Sequence, residues 1–245
     1  MRKNLLFKIA YKGTNYHGYL VQENANTITA EVQNAIADIL GKREDIKGCS
    51  RTDAGVHANE YCFSMKTDTN IPPKRLQTGI NSRLPDDIVV NEITLMPDAF
   101  HARYSSTGKE YIYKIYTGKL RDPFLSEYTL WYPHDIDIDL LNEAASHFVG
   151  THDFTSLANS GNKITDPVRT INSCHFTKQG DNVLFTVAGN GFLYKMIRTM
   201  VGTLLFVNSG RFKPSDMKTI LEDKNRGSAG KTVPPQGLYL NKIFY

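Results

Sequence analysis

Three cysteines in 245 residues, with none in a C-x-x-C pair, are too few and too scattered for a disulfide framework or a zinc ribbon. Cys49, Cys62 and Cys174 therefore point to a reduced, cytoplasmic setting. Long apolar runs are lacking as well. The most apolar stretch, Phe192 to Val207, is interrupted by Lys195 and Arg198, so no membrane span is expected. The segment Met1-Arg2-Lys3-Asn4 leads into only a few apolar residues before Lys8, too short for a signal-peptide core, and a soluble protein is expected. Gly189-Asn190-Gly191 has no third glycine of a dinucleotide fingerprint, and no Walker-type loop occurs, so no nucleotide or redox cofactor is indicated. A large excess of one charge is absent too. Twenty-nine Lys and Arg against 25 Asp and Glu leave a net charge of +4, which favours an anionic partner but is too small to hold nucleic acid by charge alone. Shape and local basic patches must carry such binding.

What is present is alternation. Phe7, Ile9 and Tyr11 face one way and Leu6, Lys8 and Ala10 the other, and Tyr61, Phe63 and Met65 repeat the pattern, which predicts half-buried strands. Between them Val32, Ala35, Ile36, Ile39 and Leu40 recur at helical spacing, with Thr29 as a cap and Gly41 as a stop. Pro72-Pro73 opens a short helix toward Leu84, and a strand follows over Asp87 to Leu95. The pattern then begins again. A strand is predicted over Glu110 to Tyr116 and a helix over Asp139 to Val149. Strands Ile171 to Thr177 and Val183 to Ala188 are joined at Gly180-Asp181-Asn182. Helices Leu193 to Val207 and Pro214 to Glu222 follow, with a last strand over Gly237 to Tyr245. With 40% hydrophobic residues, the chain can fill two α+β lobes of about 120 residues each, divided as 1–104 and 105–245.

The segment from Gly48 to Ala58, Gly-Cys-Ser-Arg-Thr-Asp-Ala-Gly-Val-His-Ala, sets one acid, Asp53, between two glycines and two residues after Arg51. The acid has no second carboxylate beside it, which suits a positioned group; an ordinary polar turn has the same composition. Arg198 lies three residues after Lys195, a spacing that puts two cations on one face of an apolar helix. Tyr111 alternates with Tyr113 and Ile115, a pattern that suits both a core strand position and an aromatic at a site. Leu238 suits a core leucine equally well. His147, His152 and Asp153 lack the spacing of a metal site and read as caps and surface contacts.

These residues resemble the TruA family of tRNA pseudouridine synthases. The segment Arg51 to Ala58 is similar to the family signature. Tyr16-His17-Gly18-Tyr19 with Gln22, Asn81 to Ile88, Phe100-His101-Ala102-Arg103, and Lys109 to Tyr113 resemble further landmarks, as do Gly150 to Ser156, Arg169-Thr170-Ile171, Gly189 to Arg198 and Pro235 to Leu240, all in family order. The resemblance implies two lobes of RNA-recognition-motif-like topology with antiparallel sheets, a central active-site cleft and a homodimer. It implies isomerisation of uridine to pseudouridine in the anticodon arm of tRNA, at tRNA positions 38, 39 and 40, with no metal and no cofactor. Asp53 matches the family's catalytic aspartate. Arg198 would keep that carboxylate ionised, Tyr111 would stack on the target uracil, Leu238 would cover its other face, and Arg51 would assist extrusion of the nucleotide. Tyr16, His57, Arg169 and Lys195 are further candidates for backbone contact. Ser50 stands where a glycine is usual, Leu20 where glutamine is expected, and Glu23 to Ile28 departs from the family's loop, which leaves room for a different substrate preference. Two other readings use the same residues. A non-catalytic RNA-binding protein would need no lone acid, and a glycosidase acting on a nucleoside would release free uracil.

Overall fold

The computed structural model describes residues 2–159 and 165–245. The chain divides into two compact units, Met1–Thr107 with Tyr239–Tyr245, and Gly108–Leu238. Its elements run β1 (Lys3–Tyr11), α1 (Ile28–Leu40), β2 (Ile46–Gly48), β3 (His57–Thr67), α2 (Pro73–Asn81), β4 (Ile88–Met96), β5 (Gly108–Tyr116), β6 (Leu130–Trp131), α3 (Ile138–Ser146), β7 (Gly150–Asp153), β8 (Val168–Gln179), β9 (Asn182–Gly189), α4 (Met196–Asn208), α5 (Asp216–Asp223) and β10 (Leu238–Phe244). The seam thus falls at 107/108 instead of 104/105. The final strand, expected in the second lobe, belongs to the first unit because Tyr239 and Leu240 pair with His57 and Ala58 of β3.

In the first unit β1 lies antiparallel to both β3 and β4, and β2 is antiparallel to β3. The β10–β3 pairing is parallel, so the sheet is mixed instead of wholly antiparallel. Helix α1 forms where the sequence places its apolar stripe, with Val32, Ala35 and Ile36 buried and Gly41 ending it in the left-handed region at φ 68°. The N-cap is Thr27, whose hydroxyl oxygen accepts from the Ala30 N–H; Thr29 is inside the helix and donates its hydroxyl to the Tyr19 carbonyl. Helix α2 opens with Pro73 at its first position and stops at Asn81, short of Leu84. There the Asn81 side chain exchanges two hydrogen bonds with the Val90 backbone and fastens the helix end to β4. Phe7 and Phe63 stack at 4.5 Å in the core, and burial of each ring stabilises the unit by about 2 kcal/mol. Strand β3 is buried at every position from Tyr61 to Met65, so it is covered on both faces and not half-buried.

The second unit is built on the antiparallel order β5-β9-β8-β7, with β6 parallel to β5. Gln179 pairs with Asn182 across a tight turn at Gly180-Asp181, as the sequence predicts. Helix α3 packs on β8 and α4, over a core containing Tyr113, Phe148, Phe176, Phe185 and Leu204. Lys195 has a left-handed backbone, φ 58°, which stops helical geometry before Met196. It therefore precedes α4, and the expected shared helical face with Arg198 does not exist.

Cys49, Cys62 and Cys174 are buried thiols. Burial, reinforced by the neighbouring Cys49, pushes the Cys62 thiol up to about 12. Among the described residues no helix is long and apolar enough to cross a membrane.

Candidate active site

The first unit supplies the Asp53 loop, which joins β2 to β3. Its entry is fixed where the Cys49 N–H donates to the Cys62 carbonyl at 2.8 Å and the Tyr61 hydroxyl donates to the Ser50 carbonyl at 2.6 Å. Tyr61 is held in turn by a stacked Tyr19 ring 4.0 Å away, and burial raises both phenols far above their ordinary range, so both stay protonated. Ser50 has no left-handed backbone, so a serine at a position where a glycine is usual carries no strain.

The segment from Tyr11 to Tyr19 holds the other side of the loop. The Tyr11 hydroxyl and Thr52 Oγ1 lie 2.9 Å apart, the Tyr19 N–H donates to the Thr52 carbonyl at 3.3 Å, and the Gly55 N–H donates to the Tyr16 carbonyl at 3.2 Å. Tyr16 is anchored through its hydroxyl, which donates to Asp87 Oδ1 at 2.5 Å; burial, then Asp87, raises its pKa. Gly13 donates its N–H to His57 Nδ1, and a Cβ there would lie 2.0 Å from the Val56 carbonyl oxygen. Only glycine allows the strand end to approach the loop so closely. Asp53 itself is half-buried and Arg51 is exposed. The loop is thus fixed from three directions, while its acid and its arginine keep access to solvent. The contacts of Tyr11, Gly13 and Asp87 are not legible in the sequence, because their partners lie some 40 to 70 positions away.

The second unit carries the other candidates. Tyr111 on β5 is buried, with its ring edge-on to Phe192 at 5.2 Å. Arg198, in the first turn of α4, donates Nε–H to the Val233 carbonyl at 2.7 Å, and the Val233 N–H returns a bond to the Arg198 carbonyl at 3.2 Å. The next residue, Pro234, accepts from the Tyr113 hydroxyl at 2.7 Å. A 3-10 turn over Pro235–Gly237 then delivers Leu238, which is buried. The segment from Val233 to Leu238 is therefore tied to both β5 and α4. His57, offered as a backbone contact, is instead buried and stacked on Tyr239 at 4.6 Å.

Of the residues weighed as metal ligands, Asp153 and His152 make local contacts. Asp153 Oδ1 accepts from Thr155, and His152 Nε2 lies 3.0 Å from the Val149 carbonyl. Among the described residues no group of three or more His, Cys, Asp or Glu could hold a metal ion.

A family profile described as tRNA pseudouridine synthase matches residues 8–105 and 144–245. Among curated proteins, the chain is 42% identical over 243 residues to "tRNA pseudouridine synthase A" of Clostridium acetobutylicum, covering 99% of this chain and 100% of that one. The protein of the same name from Thermoanaerobacter sp. is also 42% identical, with the same coverage. That of Staphylococcus aureus is 40% identical, covering 98% of this chain and 91% of the other. Among solved structures, the chain aligns with one titled "Crystal Structure of a Cbf5-Nop10-Gar1 Complex" at 12% identity and a TM-score of 0.37, over 96% of this chain and 57% of that one. A likeness of that size bears on neither fold nor function.

Proposed function

The chain belongs to the tRNA pseudouridine synthase family, and from that premise we propose that it isomerises uridines at positions 38, 39 and 40 of the tRNA anticodon arm, with Asp53 as its catalytic carboxylate. The reaction breaks the bond between ribose C1′ and uracil N1, turns the base, and forms a bond from C1′ to C5. The C5 hydrogen leaves as a proton and N1 gains one, so electrons balance within the nucleotide and no oxidant, reductant or phosphate donor is consumed. What the chemistry demands of the protein is one carboxylate anion in a fixed position. The observation that carries the assignment is the loop holding Asp53, which is pinned by Tyr61, Tyr11 and Gly13 yet leaves the acid half-open.

Tyr111 stacks on the displaced uracil and serves proton transfer at C5, Leu238 covers the opposite face, Arg198 binds the substrate as a cation, and Arg51 assists extrusion of the nucleotide from its stack. The two α+β units correspond to RNA-recognition-motif-like lobes, a reading supported by the βαββαβ order of β1 to β4 in the first unit. The enzyme works on tRNA in the cytoplasm, as a homodimer, without a cofactor.

The test uses tRNA tritiated at uracil C5, from which pseudouridine formation must release the label. Asp53→Asn, nearly isosteric but a poor nucleophile and base, should abolish release while tRNA binding and the melting temperature stay at wild-type values. Retained turnover would remove Asp53 from its role, and free uracil among the products would convert the assignment to a nucleosidase.

A further inference from the structure

The first unit leaves several aromatic rings exposed with cations against them. Tyr104 is 77% exposed, Tyr245 42% and Phe244 36%. The Arg103 guanidinium lies 5.7 Å from the centre of the Tyr104 ring, the Lys242 ammonium lies 5.5 Å from that of Phe244, and the His101 ring flanks Tyr104 at 4.5 Å. The loop carrying Tyr104 is firmly held. Asn4 Nδ2 donates to the carbonyls of Pro97 and Phe100, Ser64 Oγ accepts from the Ala102 N–H, and the Tyr245 hydroxyl donates to the Ala102 carbonyl at 2.9 Å. The Thr107 N–H donates to the Phe244 carbonyl at 2.8 Å, which joins the loop to the end of β10. The loop's one acid, Asp98, is engaged by Lys66 at 2.6 Å.

Packing does not account for a large ring left in water on a loop tied at so many points. A fixed aromatic face next to cations is, however, what an unstacked nucleotide binds: the ring takes the base and the cations take the flanking phosphates. We propose that Tyr104 and Arg103 form a second RNA contact that stacks an unpaired base of the tRNA substrate. This rests on the tRNA reading above. The contact serves binding and register on the tRNA, not bond breaking.

The full-length protein and an unmodified tRNA transcript test it. Tyr104→Ala should raise both KM and Kd about tenfold while leaving kcat within twofold. Tyr104→Phe, which keeps the ring, should behave as wild type. Arg103→Ala should weaken binding and reduce the slope of log Kd against log salt by about one phosphate contact. Circular dichroism melts should be unchanged, since neither side chain is buried. The inference is overturned by an undiminished Kd in Tyr104→Ala, by a kcat that falls as far as kcat/KM, or by a shift from dimer to monomer in light scattering, which would make the patch a contact between copies of this chain. If the wild-type protein forms no pseudouridine, the tRNA reading fails instead, and the Kd of the two variants still decides whether the patch binds RNA.

Discussion

At Asp153 one carboxylate answers three donors. Oδ1 accepts from the Thr155 N–H at 2.9 Å and its hydroxyl at 2.6 Å, and Oδ2 faces Lys224 Nζ at 3.4 Å. Burial raises the pKa of this acid, but the bonds from Thr155 and then Lys224 outweigh it and hold the group below its ordinary value. A lowered folded-state pKa means stability that is fully present above the unfolded value near 3.9 and is lost as pH falls through the folded value. Asp153→Ala should therefore cost about 1–2 kcal/mol at pH 7, and the gap from wild type should narrow in acid as pH falls through the folded value. Denaturant melts at pH 7 and in acid check this; a gap that persists in acid would mean the side chain acts by packing. At the candidate site, the same scale separates what the sequence discloses from what it conceals. Asp53, Arg51 and Gly55 stand within five positions, so their composition announces a loop with chemistry in it. The Tyr11–Thr52 and Tyr16–Asp87 bonds join residues 41 and 71 positions apart and have no local pattern to reveal them.

Among the elements, α1 is readable because a one-sided apolar stripe and Gly41 both act locally, whereas its cap is read two residues late because Thr27 and Thr29 offer the same hydroxyl. The start of α4 is concealed for a different reason: nothing in Gly-Phe-Leu-Tyr-Lys signals a left-handed lysine. Burial at Tyr61 to Met65 on β3 likewise depends on tertiary covering of both faces, which alternation cannot express. The close approach of α4 to the segment after Ala229 is also hidden. A Cβ on Gly202 would lie 1.7 Å from the Lys231 carbonyl oxygen, and Gly230 donates its N–H to Thr203 Oγ1 at 3.0 Å. Gly202→Ala must push that segment off the helix, along with Val233, Pro234 and Leu238 downstream. We expect a loss of about 2–3 kcal/mol and a fall in activity larger than the fraction unfolded explains. An alanine variant as stable and active as wild type would show that the segment yields freely.

For the whole molecule, the decisive fact is the path of the chain: it leaves the first unit at Thr107, builds the second from Gly108 to Leu238, and returns with Tyr239–Tyr245. Removing Tyr239–Tyr245 should speed hydrogen exchange in β3 at His57 and Ala58 and abolish activity, while amides of β8 and β9 keep their protection. Equal loss of protection everywhere would show that the two units unfold as one. The return of the chain also sets a clock. A ribosome adding about 5–20 residues each second finishes Thr107 roughly 7 to 26 seconds before it reaches Tyr239, 132 residues later. Through that interval the nascent first unit has made its Asp53 loop but lacks the parallel partner of β3 and the ring that stacks on His57. Competence for catalysis thus waits on Tyr239–Tyr245, and a chain interrupted before Tyr239 should be inert.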